Sequence, residues 1–411
     1  MRKKAWGTAA LSIGLVATLG GCASGGASPE GGSAAGEKLT ILIGSSGDAE
    51  TSAVQAAADA WGTENDTEVE VIAASDLNQQ LAQGFAGGDE PDLFYMGWDQ
   101  FQTFAGKGFL ETYAADLPNA GDFYPELVDT FTSEDVFTCA PKDFSTLGLI
   151  VNTDAWAAAG LTEADVPTDW AGLEAVATKL TTGAQVGLSF GLEYARAGAF
   201  MNQAGGEVVN EDGTEVTLDS KENLAGLEFI KKLHAAGVYK TPAELDAGWS
   251  GEALGQGKAA MVIEGPWIKG IKGDFPDRKY MPYELPAGPG GKSTFTFSNC
   301  WGIPEGSETL DAASSLVEFL TSDEQQMAFA EAFGVIPSTE SAAATYAETF
   351  PENASFVAGA DYAVSPVNFA GSASALTDFN SKLETLFSAD AAGILSDSQA
   401  TLQAALDEAN G

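Results

Sequence analysis

The chain has 411 residues, of which 45% are hydrophobic and 19% are charged. This length exceeds what one ordinary hydrophobic core supports, so the sequence predicts two globular domains and excludes a disordered chain. The formal net charge of -40 excludes electrostatic binding of nucleic acid or anionic lipid. Beyond the amino-terminal segment, the only arginines are Arg196 and Arg278. Anion sites usually use arginine forks, so the composition favours a neutral ligand.

The amino-terminal residues have the pattern of an export signal. Three cations precede the apolar run "AALSIGLVATL", which is too short for a stable membrane span. The run ends in "LGGC", and these small residues directly before Cys22 resemble a bacterial lipobox. The alternative is an ordinary signal peptide that happens to contain a cysteine. We predict a signal peptide over 1–21, lipid attachment at Cys22 and a flexible tether over 22–37.

The next segment alternates between two apolar periodicities. Short buried runs predict strands, and apolar residues at helical spacing predict helices. Strands are predicted over 38–44, 67–74 and 91–97, and helices over 51–64 and 76–88.

The middle of the chain continues in this style. The patterns predict a strand and then a helix over 145–160, a helix over 168–183, a strand over 186–192, an amphipathic helix over 223–237 and a short strand over 259–263. Thr168 is the predicted cap of the second of these helices. After Thr321 the pattern is helical to the end. Strands that alternate with helices predict an α/β fold with a parallel sheet.

The segments that follow the predicted strands combine carboxylates or amides with aromatics. In open α/β sheets, ligands bind beyond the carboxyl ends of the strands. Carboxylates and amides bond sugar hydroxyls, and flat aromatic faces cover the C–H surfaces of a sugar ring. The segments therefore predict a site for a neutral sugar, although any one tryptophan could instead pack in a core. They are Ser45–Glu50, Gly97–Phe101, Lys142–Thr146, Glu193–Gly198 and Glu264–Trp267.

Cysteine and histidine are scarce. Beyond Cys22 the chain contains Cys139 and Cys300, which are either a disulfide or two unpaired buried thiols. The single histidine, His234, ends a helical pattern before Gly237 and is typical of a helix C-terminal residue. With one histidine and no CxxC motif, the sequence predicts neither a metal site nor a Ser-His-Asp triad, and no cofactor is expected.

Five segments, in this order, resemble the extracellular solute-binding proteins of ABC importers, specifically the maltose-binding-like, carbohydrate-type group. Together they cover most of residues 38–340, and the ordered set is more specific than any one motif. The segments are "PDLFYMGWDQFQTFAGKGFLETYAADL" (91–117), "CAPKDFSTLGLIVNTDAWAAAGL" (139–161), "TDWAGLEAVATKL" (168–180), "LGQGKAAMVIEGPW" (254–267) and "WGIPEGSETLDAASSLVEFLTSDEQQMAFAEAFGVIPS" (301–338).

This resemblance implies a type II periplasmic-binding-protein-like fold. Such a fold is α/β, with two lobes joined by hinge crossings and the ligand cleft between them. The implied lobe I is 38–143 plus 301–320, and lobe II is 144–296 plus 322–411. Strands near the two cysteines are neighbours in this fold, so the resemblance favours a disulfide between them.

The resemblance also implies binding roles for individual residues. Asp99 and Gln100, beside Trp98, would bond sugar hydroxyls from lobe I. Trp267, beside Glu264, would stack on a sugar ring from lobe II. The further candidates are Ser45, Asp48 and Glu50 in the first loop, Lys142, Asp143 and Ser145 at the hinge, Glu193 and Arg196 on chemical grounds, and the aromatics Trp301 and Phe369.

The function implied is that of a tethered receptor rather than an enzyme. It would capture a neutral carbohydrate, an oligosaccharide in preference to a monosaccharide, and deliver it to the membrane subunits of an ABC permease. It would be a monomer, lipid-anchored on the extracellular face of a Gram-positive cell membrane. Two alternatives stay open: a secreted glycoside hydrolase with two carboxylates about 5–10 Å apart, and a surface lipoprotein that binds carbohydrate without transport.

Overall fold

The computed structural model describes residues 38–210 and 212–410. The predicted signal peptide, the lipidation at Cys22 and the tether lie outside the described residues. The described residues belong to one compact unit. Among the described residues, no helix combines the length and the apolar character needed to cross a membrane.

The strands build two five-stranded sheets, a three-stranded sheet and a two-stranded ribbon. In chain order they are β1 (Lys38–Ile43), β2 (Glu68–Ala73), β3 (Leu93–Gly97), β4 (Thr132–Ser133), β5 (Val136–Phe137), β6 (Ala140–Pro141), β7 (Ser145–Thr146), β8 (Gly148–Asn152), β9 (Val186–Ser189), β10 (Tyr239–Lys240), β11 (Ala259–Glu264), β12 (Tyr280–Tyr283), β13 (Thr294–Phe297), β14 (Asn299–Gly302) and β15 (Ala363–Val364). The first sheet has the order β2-β1-β3-β14-β6, and the second has the order β10-β9-β11-β8-β12.

Helices surround the sheets. In chain order they are α1 (Asp48–Asn65), α2 (Leu77–Gly87), α3 (Trp98–Gly106), α4 (Pro125–Thr130), α5 (Thr153–Ala158), α6 (Trp170–Leu180), α7 (Tyr194–Gln203), α8 (Lys221–Ala235), α9 (Ser250–Gly255), α10 (Leu310–Leu320), α11 (Asp323–Phe333), α12 (Glu340–Thr349), α13 (Ala354–Gly359), α14 (Ser372–Leu383) and α15 (Ala391–Ala409). Short 3-10 helices connect them, at Ala114–Asp116, Ala120–Asp122, Glu163–Asp165, Ala243–Leu245, Pro266–Lys272, Pro351–Asn353 and Ala360–Tyr362.

The α/β prediction is confirmed, but both large sheets are mixed rather than parallel. Strand β1 runs parallel to β2 and β3, whereas β14 runs antiparallel between β3 and β6. Strands β8 and β12 of the second sheet are likewise antiparallel to a neighbour. These antiparallel strands were missed because alternation along the chain says nothing about the direction in which a returning strand enters a sheet.

Three segments predicted as loops contain the first turns of helices. Helix α1 begins at Asp48, α3 at Trp98 and α7 at Tyr194. In α1, the carboxylate of Glu50 accepts hydrogen bonds from the backbone N–H and hydroxyl of Ser46, and a negative charge is stabilised at a helix N-terminus. The predicted cap Thr168 is also wrong, because Asp169 caps α6 by accepting from the backbone N–H three residues later.

The carboxyl ends of the strands bring the candidate segments to one edge of each sheet. In the first sheet, β3 ends at Gly97 opposite Asn299, the first residue of β14. In the second, β11 ends at Glu264 opposite Gly148. The chain passes from one edge to the other through β7 and β13, where Ser145 pairs with Phe297. The two edges are therefore joined by paired crossing segments.

Helix α11 packs on α1 and on the core of the first sheet, through Phe329 and Phe333. The predicted division assigned this helix to lobe II with the rest of 322–411. The apolar side chains of α11 are nevertheless buried against the first sheet, although α11 begins directly after the predicted boundary at 322. The remaining lobe boundaries stay a prediction.

The disulfide between Cys139 and Cys300 is present. Cys139 directly precedes β6, and Cys300 lies in β14, the strand beside β6. Their Cα atoms are 5.6 Å apart, although 161 positions separate them in the sequence. The bond therefore links the segment that leaves the first sheet to the segment that returns to it.

Candidate functional site

A cavity of about 220 Å³ lies where the edges of the two large sheets meet the crossing segments. We call it the cleft cavity. Seven of the predicted site residues line it: Glu50, Trp98, Asp99, Lys142, Asp143, Ser145 and Trp267. The other lining residues are Gly44, Ser46, Gly97, Phe297, Ser298, Asn299 and Val335. Loops from separate parts of the chain therefore converge on one place.

Three aromatic side chains form a wall of the cleft cavity. Trp98 follows β3 of the first sheet, Trp267 follows β11 of the second, and Phe297 ends the crossing strand β13. The ring centroid of Phe297 lies 6.3 Å from that of Trp98 and 6.1 Å from that of Trp267. All three rings are only partly buried, so they offer apolar surface to a ligand.

The short segment after β11 holds the Trp267 indole by its edge. The carboxylate of Glu264, which is 2% exposed, accepts a hydrogen bond of 3.0 Å from the indole Nε1. The same carboxylate accepts a 2.5 Å bond from Arg196, whose guanidinium also pairs with Glu193 at 2.8 Å. These three charged residues do not line the cleft cavity. They orient the indole from behind, because a charge-assisted bond to a buried carboxylate fixes its partner.

A buried ionic cluster lies at the other side of the cavity. The ammonium of Lys142 is 2.6 Å from a carboxylate oxygen of Asp143 and 3.0 Å from one of Glu50. The hydroxyl of Tyr95 donates a 3.1 Å bond to Glu50, and the Lys142 nitrogen lies 4.4 Å from the Tyr95 ring centroid. The three charged side chains are at most 8% exposed. The cluster ties helix α1 to the crossing segment.

Burial and ion pairing shift the pKa values of this cluster in opposite directions. Burial alone lowers the pKa of Lys142, but the carboxylates of Asp143 and Glu50 override it and hold that pKa well above its usual value. Burial raises the pKa of Asp143 despite the opposing ammonium. Burial also raises the pKa of Glu50, but the charge of Lys142 and the hydrogen bonds from Ser46 lower it by more. The net pKa of Glu50 is therefore below its usual value. The balance keeps the lysine charged at neutral pH.

Asp99 presents a carboxylate without a salt-bridge partner among the described residues. Its one side-chain partner is the amide of Gln100, which donates a 3.2 Å bond. Burial raises the pKa of Asp99, against the lowering effect of the Gln100 amide and of backbone N–H groups at the start of α3. Gly97 leaves room for this carboxylate, because a Cβ there would lie 2.6 Å from it. The carboxylate is thus free to accept from a ligand.

Asp99→Asn should stabilise the ligand-free protein at pH 7, in contrast to most substitutions. A carboxyl group whose native pKa is raised binds its proton more tightly in the folded state than in the unfolded state. The ionised group therefore lowers the free energy of unfolding at a pH above its native pKa. This penalty decreases as the pH falls below the native pKa and is gone below the unfolded value of 3.8. The melting-temperature difference between variant and wild type should therefore shrink between pH 7 and pH 4. The exposed Asp48→Asn in α1 is the control, and equal shifts for both variants would contradict the prediction.

Several predicted residues lie outside the cleft cavity. Gln100 supports Asp99, while Ser45 bonds locally to the Gly47 carbonyl at 2.7 Å and Asp48 is exposed in the first turn of α1. Trp301 is 0% exposed and packs edge-on to the Tyr95 ring in the first core, so it offers no surface to a ligand. Apolar burial decided this case, because the residue lies inside strand β14 rather than after it.

Phe369 lines a different cavity, together with Tyr194 and Phe295. Sequence reasoning also missed members of the cleft cavity, among them Phe297, Ser298 and Asn299. The sequence did contain a signal for these residues. Phe297 ends the strand-like pattern "TFTF", and Ser298 and Asn299 connect it to Cys300, which begins the return to the first sheet. Val335 had no such signal, because it reaches the cavity through a third crossing at which Ile336 pairs with Phe144.

Within residues 38–210 and 212–410, no group of three or more histidine, cysteine, aspartate or glutamate side chains is arranged to hold an ion. The single histidine is instead stacked on Phe387 at 3.6 Å between ring centroids, near the end of α8. The predicted helical position of His234 is confirmed.

Solved structures of other proteins resemble this one in their overall fold. The chain resembles an ABC substrate-binding protein of Listeria monocytogenes in complex with cycloalternan, with a TM-score of 0.82, 22% identity and coverage of 90% of this chain and 99% of that one. It also resembles the maltotriose-binding protein of Thermus thermophilus, with a TM-score of 0.79, 22% identity and coverage of 90% and 100%. These structures confirm the two-lobed binding-protein fold.

Sequence comparison gives a family. A maltooligosaccharide ABC transporter solute-binding lipoprotein of Streptococcus pneumoniae is 29% identical over 147 residues, which are 34% of this chain and 33% of that relative. The match thus spans about a third of the relative's length. The family model for the bacterial extracellular solute-binding protein matches residues 45–327, well over half of the chain. The chain therefore belongs to the family of bacterial extracellular solute-binding proteins.

Proposed function

We propose that this protein is the substrate-binding component of an ABC importer and captures a neutral oligosaccharide in the cleft cavity. The observation that carries the proposal is that Trp98, Trp267 and Phe297 meet the Asp99 carboxylate in one cavity. That carboxylate has no salt-bridge partner among the described residues and accepts a side-chain hydrogen bond only from Gln100. Rings that cover C–H surfaces beside acceptors for hydroxyls suit a sugar. The cavity's one lysine is neutralised by two carboxylates, which disfavours an anionic ligand.

Relatives support the choice of an oligosaccharide. Of three similar proteins, one is in complex with cycloalternan, one is a maltotriose-binding protein and one belongs to a maltooligosaccharide transporter. A cavity of about 220 Å³ encloses little more than one sugar ring, so a longer ligand would extend from it along the opening between the lobes. Trp98 and Trp267 would hold the enclosed ring, with Asp99 accepting from its hydroxyls.

Closure would follow from the position of the binding groups. Trp98 and Asp99 follow a strand of the first sheet, and Trp267 follows a strand of the second. A ligand that contacts both sets favours the conformation in which both reach it. The crossing segments 142–147 and 294–299 would act as the hinge. The closed form is the one that the membrane permease would recognise.

The proposed location at the cell membrane rests on the lipobox-like residues before Cys22. Cleavage before Cys22 and lipid on its sulfur would anchor the protein on the extracellular face of the cell membrane, with 22–37 as the tether. The family is extracellular, and the pneumococcal relative is named a lipoprotein. We propose a monomer in a Gram-positive cell, which has no outer membrane to retain a free receptor. Metabolic labelling with a fatty acid should be lost in Cys22→Ala.

A sugar panel tests the function directly. Tryptophan fluorescence and melting temperature are measured with mono- and oligosaccharides, and with amino acids and peptides as controls. An oligosaccharide that binds at micromolar concentration should raise the melting temperature by several degrees, because it stabilises only the folded state. Response to a peptide but to no sugar would overturn the proposed ligand. New reducing ends in the incubated sugar would favour the hydrolase instead.

Trp267→Ala should weaken binding of the sugar found in this panel by about 1–3 kcal/mol, the scale of a lost aromatic anchor. Glu264→Gln should cause a smaller loss, because the amide still accepts from the indole but no longer pairs with the Arg196 charge. Calorimetric titration measures both. The control is Trp249→Ala, which removes an indole that lies outside the cleft cavity and packs against another core. Equal affinity of Trp267→Ala and wild type would remove Trp267 from the site.

A further inference from the structure

A direct contact between elements of the two lobes lies beside the cleft cavity. The 3-10 helix Pro266–Lys272 continues from β11 of the second sheet, and it faces the C-terminal end of α11, which packs with the first sheet. Ile268 and Ile271 of the 3-10 helix share one apolar cluster with Ala330 of α11. We call this contact the α11 seam. Residues of the chain make the whole α11 seam, so it can form whether or not a ligand occupies the cleft.

Lys269 lies at the end of α11 in this seam. Its ammonium donates to the backbone carbonyl of Ala330 at 3.3 Å and also to that of Glu331. The last carbonyls of an α-helix have no partner within the helix, and a cation is stabilised beside them. Helix α11 carries no basic residue in its own last turn. The second lobe therefore supplies the cation that this helix lacks.

The residue after α11 lets the two backbones approach each other. Gly334 has a φ of 90°, in the left-handed region, and its N–H donates to the carbonyl of Ala330 at 3.0 Å to end the helix. A Cβ at this position would lie 2.9 Å from the carbonyl oxygen of Pro266 and 3.1 Å from the side chain of Lys269. Glycine therefore suits both the turn and the space. A side chain here would push the 3-10 helix away from α11.

The α11 seam borders the cleft cavity without lining it. Trp267 of the 3-10 helix and Ser46 of the first lobe both line the cavity, and a Cβ at Gly270 would lie 3.9 Å from the carbonyl oxygen of Ser46. Over the described part of the chain, the cavity walls include neither Lys269 nor Ala330. A ligand in the cleft therefore does not touch Lys269, whereas a movement that parts the two lobes would separate Lys269 from α11.

We propose that Lys269 is a latch that stabilises the closed arrangement of the two lobes and thereby raises the affinity of the cleft for its ligand. The effect on affinity rests on the function proposed for the cleft, but the latch does not. The apparent dissociation constant is the intrinsic constant divided by the closed fraction of molecules, so a latch that raises this fraction lowers the apparent constant. Water replaces the carbonyls as partners of the ammonium when the lobes part, so the latch should change the ratio of closed to open molecules by about two- to tenfold.

A matched control lies on the same 3-10 helix. Lys272 also donates to backbone carbonyls, at 3.4 Å to Pro276, but within its own segment of the chain. Each lysine lies over an aromatic ring, since the Lys269 nitrogen is 5.6 Å from the Phe350 centroid and the Lys272 nitrogen is 5.4 Å from the Tyr280 centroid. Lys269→Met and Lys272→Met therefore remove the same charge and the same kinds of contact, but only Lys269→Met removes bonds across the α11 seam.

Spin labels on either side of the seam measure the arrangement of the lobes without a ligand. Asp48 begins α1 in the first lobe, Asp274 follows the 3-10 helix of the second, and both residues are exposed. Asp48→Cys and Asp274→Cys carry nitroxide labels in the protein with Cys22→Ala, so that Cys22 takes no label. Electron double resonance then gives the distribution of distances between the two labels in the absence of sugar.

Lys269→Met should move molecules from the shorter to the longer label distance and lower the ratio of the two populations by about two- to tenfold. Lys272→Met should keep the wild-type distribution. Lys269→Arg should keep it as well, because arginine retains the cation and its donors. Lys269→Gln repeats the measurement in case Lys269→Met fails to fold, as judged by circular dichroism.

Calorimetric titration with the sugar found in the panel gives the consequence for binding. The dissociation constant should rise in Lys269→Met, by no more than the change in the population ratio, and stay at the wild-type value in Lys272→Met. An unchanged distance distribution in Lys269→Met overturns the latch and leaves the function proposed for the cleft standing. Equal shifts in the two methionine variants also overturn the latch, because the lost charge alone then explains them. A shift confined to Lys269→Met, in a protein that binds no sugar, supports the latch and overturns the proposed function.

Discussion

Lys142→Met is expected to destabilise the folded protein by about 3–5 kcal/mol at pH 7, the usual cost of breaking a buried ion pair from one side. The substitution keeps the length of the side chain but removes the cation that lies 2.6 Å from Asp143 and 3.0 Å from Glu50. The two carboxylates would remain in a site where they are 8% and 5% exposed. Urea unfolding followed by circular dichroism measures the loss.

The pH dependence identifies the cause of that loss. In wild type, the net pKa of Glu50 is lowered, so its contribution to stability is present above the unfolded value of 4.5 and is lost as pH falls through the native value. In Lys142→Met both carboxylates lose their cation, and their native pKa values rise. Protonation of the two carboxylates then removes their unpaired buried charge. The difference in the free energy of unfolding between Lys142→Met and wild type should therefore shrink between pH 7 and pH 4.

A matched control comes from a lysine at the surface. Lys38 pairs with Glu70 at 2.7 Å, but both side chains are about half exposed. Lys38→Met should therefore change stability far less than Lys142→Met, because water screens exposed pairs. A loss in Lys142→Met that does not change with pH would contradict the ionic explanation and favour a packing effect. The double variant Lys142→Met with Asp143→Asn should recover part of the stability, since it leaves one unpaired carboxylate fewer.

Removal of the disulfide is expected to lower stability by about 2–5 kcal/mol. The bond closes a loop with a separation of 161 residues, for which the chain-entropy relation gives about 5 kcal/mol as an upper figure. Cys139 and Cys300 are 1% and 0% exposed, so alanine at both positions also loses a little apolar packing. Unfolding of Cys139→Ala/Cys300→Ala by urea, with wild type measured in the same buffer, gives the value.

Reduction of the wild-type protein separates the cross-link from the packing. Unfolding of wild type in the presence of a thiol reductant retains both sulfur atoms and removes only the bond. If the cross-link is the cause, reduced wild type and the double alanine variant should unfold at similar urea concentrations. An unchanged midpoint on complete reduction would show that the folded chain holds these strands together without the bond.

Parts of the fold could be read from local patterns. The apolar run that gives β11 and the helical spacing that gives α8 identify these elements, because burial of one face imposes a period on the sequence. The starts of α1, α3 and α7 could not be read in this way. The polar residues Asp48, Asp99 and Glu193 lie at these helix starts, and polar residues give no apolar period.

The sequence by itself determined the α/β class, the scarcity of cations and the strand-end segments that supply Asp99, Lys142 and Trp267. Each depends on composition or on neighbours along the chain. Only the tertiary structure decided which of these side chains meet. Trp301 is buried and Trp267 is accessible, although both are tryptophans at strands of the two large sheets. The difference arises because Trp301 lies inside β14, which pairs with a strand on each side, whereas Trp267 lies beyond the end of β11. The pairing of β14 depends on residues far away in the chain.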